Sequence, residues 1–279
     1  MFTSRRITTM GGDKFRDDFS LAFDGINDFI NVDGLSSVFS TDSAYTIQCW
    51  FKCTETGLAG GDDEHKSIIF SANDVSDSYA NIFRIGVNIN NDASPIGGIL
   101  VVDNQDNNTV HTDSSDKDTG TKYFNDGKWH HLAVTIAGGA SDTAIKVFIN
   151  GSELTNYYTS DAGSADSNVI DPQFDLADKF SIGQEYDSSA ATSDFFAGNI
   201  SELTIYSADL STSQVRALYN GREPYNHKEG VANTYLQAWY RMGDGLENHS
   251  GTTIYDMSDN SNNGTMTNMA ADDFQGDAP

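Results

Sequence analysis

Basic residues are scarce in this chain: 16 lysines and arginines stand against 41 aspartates and glutamates, a formal net charge of −25 over 279 residues. Phosphate backbones and anionic bilayers are held by basic surfaces, so nucleic acid and anionic membrane are excluded as partners. The acidity serves either solubility in a salty habitat or divalent cation binding at selected carboxylates. Long apolar runs are missing as well. No stretch approaches the roughly 20 residues that span a bilayer, so no membrane insertion is expected, and the opening MFTSRRITTMGGDKF has no apolar signal region. Cysteine is nearly absent. Cys49 and Cys53 lie four residues apart on a predicted strand, ~13 Å at strand rise, too far for a disulfide. No His or Asp stands at zinc-ligand spacing beside them, so two buried, reduced thiols are expected. Only 4 prolines accompany 25 glycines and 11% aromatics, which suits an all-β chain with many tight turns, and 38% hydrophobic residues suffice for a core.

The most ordered pattern runs from Tyr123 to Leu154. Leu132, Val134 and Ile136 alternate with other residues, and Ile145, Val147 and Ile149 do the same, which is strand periodicity. Asn150-Gly151 accepts positive φ at both central positions of a type I′ turn and closes a hairpin. Asp126-Gly127 marks a turn before the first strand. Further strands are predicted at Ser67 to Phe70, Asn81 to Ile89 and Gly98 to Val102. Ser211 to Gln214 is a capping box opening a short helix stopped at Asn220-Gly221, with Val215, Leu218 and Tyr219 on one face covering an end of the sandwich.

Asp126-Gly127-Lys128-Trp129-His130-His131-Leu132, followed by Lys146-Val147-Phe148-Ile149-Asn150-Gly151, resembles the signature of laminin-G-like, concanavalin-A-like lectin/glucanase jelly-roll domains. Ser20 to Ile30 resembles the opening strand pair of that family, Tyr45 to Lys52 the strand that follows, and Phe196 to Tyr206 the closing strand. The resemblance implies an all-β, antiparallel β-sandwich with one short helix. It divides the chain into a basic arm at 1–18 (Arg5, Arg6, Lys14, Arg16), which reads as a docking arm or a frayed tail, a sandwich at 19–222, and a C-terminal segment at 223–279. Leu236 to Met269 resembles a segment that precedes the first block in many relatives. Here it comes last, either as a circular permutation in which the tail completes the same sandwich or as the start of a second domain. Permutation is favoured because only ten residues follow Met269.

The resemblance also implies a structural calcium site at the Asp24-Gly25 turn, where Asp24, Asn27 and Asp28 supply hard oxygen ligands. Asp and Asn are turn formers in their own right. The run from Asp256 to Gly264 fails an EF-hand alignment, since Ala270 falls where the bidentate Glu must stand. A looser site remains, in which Asp256, Asp259 or Asn262 joins Asp24 and Glu202. Asp62-Asp63-Glu64-His65 reads as a solvated loop. Tyr157, Tyr158, Tyr186 and Asp187, in loops of the kind this fold uses for binding, are candidate glycan contacts; core tyrosines are the plainer reading of the first two.

The same sandwich carries retaining glycoside hydrolases with a Glu-x-Asp-x-x-Glu motif. The nearest match, Glu185 to Ala190, lacks the second glutamate, so no acid–nucleophile pair exists there and no enzyme is expected. The first functional expectation is a virion surface protein, a head decoration or tail-fibre subunit, partnered by other virion proteins or by its own copies. It rests on the absent signal, the basic arm, the acidity and the tail's resemblance to segments of marine phage proteins. The alternative is a carbohydrate-binding module of a bacterial extracellular or surface protein, with a cell-surface glycan as partner.

Overall fold

The computed structural model describes residues 15–55, 66–76, 81–88, 98–103, 108–112, 124–139, 143–155, 157–159, 169–187, 191–247 and 249–279. Arg5, Arg6 and Lys14 of the arm and the Asp62–His65 run lie outside them.

In chain order the strands are β1 (Ser20–Asp24), β2 (Phe29–Asn31), β3 (Tyr45–Cys53), β4 (Lys66–Asn73), β5 (Asn81–Asn88), β6 (Ile99–Asp103), β7 (Asn108–Thr112), β8 (His130–Ile136), β9 (Thr143–Ile149) and β10 (Ser152–Glu153). There follow β11 (Tyr157–Thr159), β12 (Val169–Ile170), β13 (Lys179–Ile182), β14 (Glu185–Asp187), β15 (Ala191–Ser193), β16 (Ala197–Tyr206), helix α1 (Thr212–Tyr219), β17 (Leu236–Tyr240), β18 (Thr253–Ile254), β19 (Gly264–Thr267) and β20 (Phe274–Gln275). They form two large antiparallel sheets and a separate β14–β15 pair. The first runs β10-β9-β8-β3-β16-β1-β20, with β12 on β9 and β17 on β16; the second runs β11-β7-β6-β5-β4-β13-β2-β19-β18. Inward residues of both sheets make one continuous core, among them Leu21, Phe51, Val134 and Ile205 from the first and Ile30, Phe70, Ile85 and Phe180 from the second. This is a β-sandwich of the jelly-roll type.

The β8–β9 hairpin follows its alternation. Leu132, Val134 and Ile136 face the core while His131 and Thr135 lie on the opposite face, and Asn150 and Gly151 both have positive φ (51° and 73°), as the tight turn from β9 into β10 requires. Helix α1 has its capping box: Ser211 N–H donates to Gln214 Oε1 at 3.0 Å, and the chain leaves the helix at Asn220 in the left-handed region. Its buried Val215 and Leu218 pack with Ala133, Phe148 and Tyr206, so the helix covers the outer face of the first sheet rather than an end of the sandwich. Cys49 and Cys53 are free and buried, and burial pushes both thiols up, Cys53 to about 11.

The opening blocks are not a strand pair. β1 pairs with β16 and β20 in the first sheet, whereas β2 pairs with β13 and β19 in the second, so the Gly25–Asp28 turn carries the chain from one sheet to the other. The tail contributes to both layers: β17 lies on β16 and β20 on β1, while β18 and β19 extend the second sheet from β2. β16 is shared in an unusual way. One edge pairs with β3 along its length; the other pairs with β1 over 197–200 and with β17 over 203–206. The register shifts between Ser201 and Thr204, and Glu202 sits there with a φ of 51°. That bulge aims Glu202 toward the outer face.

Candidate functional site

The acidic turn at Asp24 holds its own backbone. Asp24 Oδ1 accepts from Ile26 N–H (2.8 Å), Asn27 N–H (3.0 Å) and Asp28 N–H (3.3 Å), and Asp28 Oδ2 accepts from Asp24 N–H at 3.0 Å. The Asn27 carbonyl accepts from Asn268 Nδ2 of the tail at 2.8 Å. Burial first, and the Asp24 charge second, push the Asp28 carboxyl up to about 6. Asp256 is occupied in the same way. Its Oδ1 takes Trp239 N–H (2.9 Å) and Ser258 N–H (2.8 Å), and its Oδ2 takes the Ser258 hydroxyl and Asn262 N–H, each at 2.8 Å. Asp259 is almost fully solvated and pairs with Lys228 at 2.8 Å.

Glu202 lies elsewhere again. Asp24 stands opposite Ala197, five residues along β16 from Glu202, on the order of 16 Å at strand rise. The Glu202 carboxylate is buried: Oε1 accepts from Arg241 Nε at 2.8 Å and Oε2 from the Trp239 indole N–H, with His227 Nε2 4.0 Å away. Around it, Gln48 Nε2 donates to the Glu202 carbonyl (2.8 Å) and the Thr204 hydroxyl (2.7 Å), which leaves Gln48 Oε1 to accept from His131 Nε2 at 2.8 Å. His227 Nδ1 is hydrogen-bonded with the Tyr206 hydroxyl. Burial holds both His131 and His227 down to about 3, so both imidazoles are neutral. Ser201 ties Asp17 of the incoming chain to this patch, and Asp244 accepts from the Asp18 and Phe19 N–H groups. Burial, then Glu202 and Asp244, push the Asp17 carboxyl well up.

The structure therefore does not bring Asp24, Asn27, Asp28, Glu202, Asp256 and Asp259 together. Among the described residues no three His, Cys, Asp or Glu side chains are grouped to hold a metal ion, and Oδ1 of Asp24 and both carboxylate oxygens of Asp256 face backbone N–H groups. As placed, these residues do not fit a calcium cradle, which needs six to eight converging oxygens.

The tyrosine candidates separate too. Tyr157 and Tyr158 lie on β11 against β7, and Asp187 ends β14; the side chains of all three lie outside what is described. Tyr186 is buried, in the β14–β15 hairpin over the second sheet. Its carbonyl accepts from Asn73 Nδ2 at 3.3 Å, and burial, then the Asp33 charge, raise its phenol. Glu185 beside it is ion-paired with Arg84 with both side chains buried. A buried carboxylate locked to a guanidinium is unavailable to attack or protonate a glycosidic oxygen. The position of Ala190 lies outside the described residues.

What stays open is a cleft that sequence reasoning did not single out. The segment leading into β17 and the loop after Asp256 enclose about 610 Å³, lined by Lys228, Asn233, Thr234, Leu236, Gln237, Asp259 and Asn260. That lies within the size range of small-molecule sites. The lining amides are anchored through nitrogen: Asn260 Nδ2 donates to the Gln237 carbonyl (2.9 Å), Asn233 Nδ2 to the Lys228 carbonyl (3.2 Å), and Gln237 Nε2 to the Ser207 hydroxyl (3.2 Å) and the Tyr235 carbonyl (3.4 Å). Carbonyls only accept, so the amide orientation is set, and each amide oxygen is left as an acceptor. The sequence signal was the amide density of 226–237 and 260–263, which a tail read as sandwich strands conceals.

A two-sheet antiparallel sandwich with a short helix on one outer face and a polar, carboxyl- and amide-rich surface defines a lectin-type jelly roll. The chain belongs to the concanavalin A-like lectin/glucanases superfamily, whose laminin-G-type family matches residues 24–216. Among solved structures it is similar to a carbohydrate-binding protein, so described provisionally, from Bacteroides ovatus (18% identity, TM-score 0.53), covering 91% of this chain and 59% of that one. The chain thus spans about three fifths of that relative's length. It is also similar to a heptameric SAP-like pentraxin from Limulus polyphemus (18%, TM-score 0.44, covering 75% and 85%) and to the CBM40 of the Ruminococcus gnavus IT-sialidase (15%, TM-score 0.45, covering 73% and 100%). No curated protein sequence matches.

Proposed function

We propose that this protein is a non-catalytic glycan-binding module and that it binds in the cleft beside β17. The observation that carries this reading is the set of amide oxygens around that cleft. They are oriented by backbone carbonyls and, among the described residues, left without a donor, which is the arrangement that hydroxyl-bearing ligands satisfy. The carboxylates that could perform hydrolysis, Glu185 and Glu202, are both buried and occupied by guanidinium groups. The test is capture of the purified chain on a multivalent glycan panel, repeated with Asn233→Ala and Asn260→Ala. Binding that survives both variants removes the site assignment; absence of binding to every glycan removes the function.

The setting we propose is a displayed surface, either a virion as head decoration or tail-fibre subunit or a bacterial extracellular surface. The net charge of −25 supports it, since it keeps such a surface soluble and unattached to nucleic acid. Among the described residues no helix is long and apolar enough to cross a membrane. Mass spectrometry of purified particles tests the virion setting, which fails if the protein is absent from them.

A further inference from the structure

We infer that the cleft beside β17 selects neutral, hydroxyl-rich sugars over carboxylated ones and does so without a metal ion, an inference that rests on the glycan-binding reading above. Three observations lead there. The first is the donor–acceptor balance. Gln237 spends its amide N–H₂ group internally and Asn233 and Asn260 spend one N–H each, which fixes the three amides with their oxygens unpaired among the described residues, so the cleft asks its ligand for donors as well as acceptors. A sugar hydroxyl is a donor and an acceptor at once and satisfies both kinds of group, whereas a carboxylate only accepts and would leave the three amide oxygens without a partner.

The second is charge. Among the described residues Lys228 is the only cation in the lining, and its ammonium lies 2.8 Å from Asp259 Oδ1. The pair leaves the cleft locally neutral, with Asp259 Oδ2 as a fourth outward acceptor. An anionic sugar held by Lys228 would lie beside the Asp259 carboxylate, like charge against like, on a chain already at −25. A cationic ligand would have to displace Lys228 from the same partner. A neutral polyol disturbs neither charge.

The third is what the lining omits. Among the described residues it holds no aromatic ring, and Leu236 is its sole large apolar side chain. Tyr235, 43% exposed, falls between Thr234 and Leu236 without lining the cleft. Recognition by hydrogen bonds without a stacking platform is weak at a single site, on the order of millimolar, and is raised by several copies acting together. The metal independence follows from the same set: the described residues of the cleft contribute one carboxylate, and that carboxylate is held by an ammonium.

The experiment uses the full chain, immobilised, with polymer-displayed neutral hexoses and N-acetylhexosamines in one arm and sialylated and uronic acid conjugates in the other, each with calcium and with chelator. The expected result is retention of a neutral conjugate, unchanged by chelator and reduced at least tenfold in Asn233→Ala and Asn260→Ala with unchanged unfolding midpoints. In Asp259→Asn the ammonium of Lys228 is released, so acidic conjugates gain at least threefold while Lys228→Met abolishes that gain. Retention of acidic conjugates alone by the unaltered chain, or loss of binding in chelator, overturns this inference and leaves glycan binding standing. Capture of no conjugate overturns both.

Discussion

The loop at Asp256 and the cleft a few residues away are built from the same residue types and do opposite things. Asp256 directs its two oxygens at Trp239 N–H, Ser258 N–H, the Ser258 hydroxyl and Asn262 N–H. Asn260, between those partners, is anchored by nitrogen and turns its oxygen outward. Asp24, Glu202 and Asp256 look like ligand residues because they are acidic and sit in loops or at a bulge. Both oxygens of Glu202 and Asp256, and Oδ1 of Asp24, are already taken up by this chain. The difference teaches that a site is marked by capacity left over after folding, not by polar composition, since an unpaired buried group is costly and an outward acceptor is not.

The contrast is open to measurement by substitution. Replacing Glu202 by Ala strips the buried Arg241 guanidinium and the Trp239 indole of their acceptor, and denaturant unfolding is expected to show a loss of about 3–5 kcal/mol, the scale for breaking one side of a buried ion pair. Asp256→Ala leaves three backbone N–H groups without their acceptor and should cost about 3 kcal/mol in the same assay. A loss under 1 kcal/mol in either variant would break the distinction between occupied and open carboxylates.

The next effect is one of pH. Asp28, pushed up to about 6, holds in the folded chain a proton that the unfolded chain releases near 4. Its contribution to stability is therefore full below pH 4 and is lost as pH rises through 6. His131 and His227, held down to about 3, act in the other direction: the unfolded chain takes up protons below about 6.5 and the folded chain does not, so stability falls from there toward pH 3. In Asp28→Asn the first contribution is removed. The variant should gain on the original chain by about 2 kcal/mol as pH is raised from 4 to 7, and parallel pH profiles would show that Asp28 titrates as a solvated carboxylate.

Smallest of all are the cleft residues. Asn233→Ala, Asp259→Ala and Asn260→Ala should each change stability by less than about 0.5 kcal/mol, and calcium against chelator should leave the thermal midpoint of the unaltered chain where it is. A midpoint raised by calcium in a concentration-dependent way would place a metal site among residues this contrast treats as structural.

Much of the fold is legible in the sequence. The alternation of Leu132, Val134 and Ile136, the Asn150-Gly151 pair and the Ser211–Gln214 box each encode a local geometry, and local geometry is what a short stretch determines. Partner choice is not local. Nothing between Ser20 and Asn31 says that β1 and β2 enter different sheets, because that depends on β16, β13 and two tail strands. The bulge at Glu202 carries no glycine to announce it. The cleft was hidden for the same reason: it exists only where 228–237 meets 259–260, and the direction of its amides is set by the carbonyls of Lys228, Tyr235 and Gln237, which are identical in every sequence.

The divided edge of β16 has a consequence for how the molecule comes into being. Leu21 lies opposite both Ile200 and Phe274, and Leu203 lies opposite Tyr240. During synthesis the first strand therefore waits, unpaired on both sides, until β16 emerges and then on one side until β20 has left the ribosome. Pairings across most of the chain make the loop-closure entropy large before any contact rewards it, so assembly should be slow. Until then β1 and β2 present apolar strands with open hydrogen-bonding edges to every neighbouring nascent chain. A protein displayed in many copies would meet that hazard at its highest concentration.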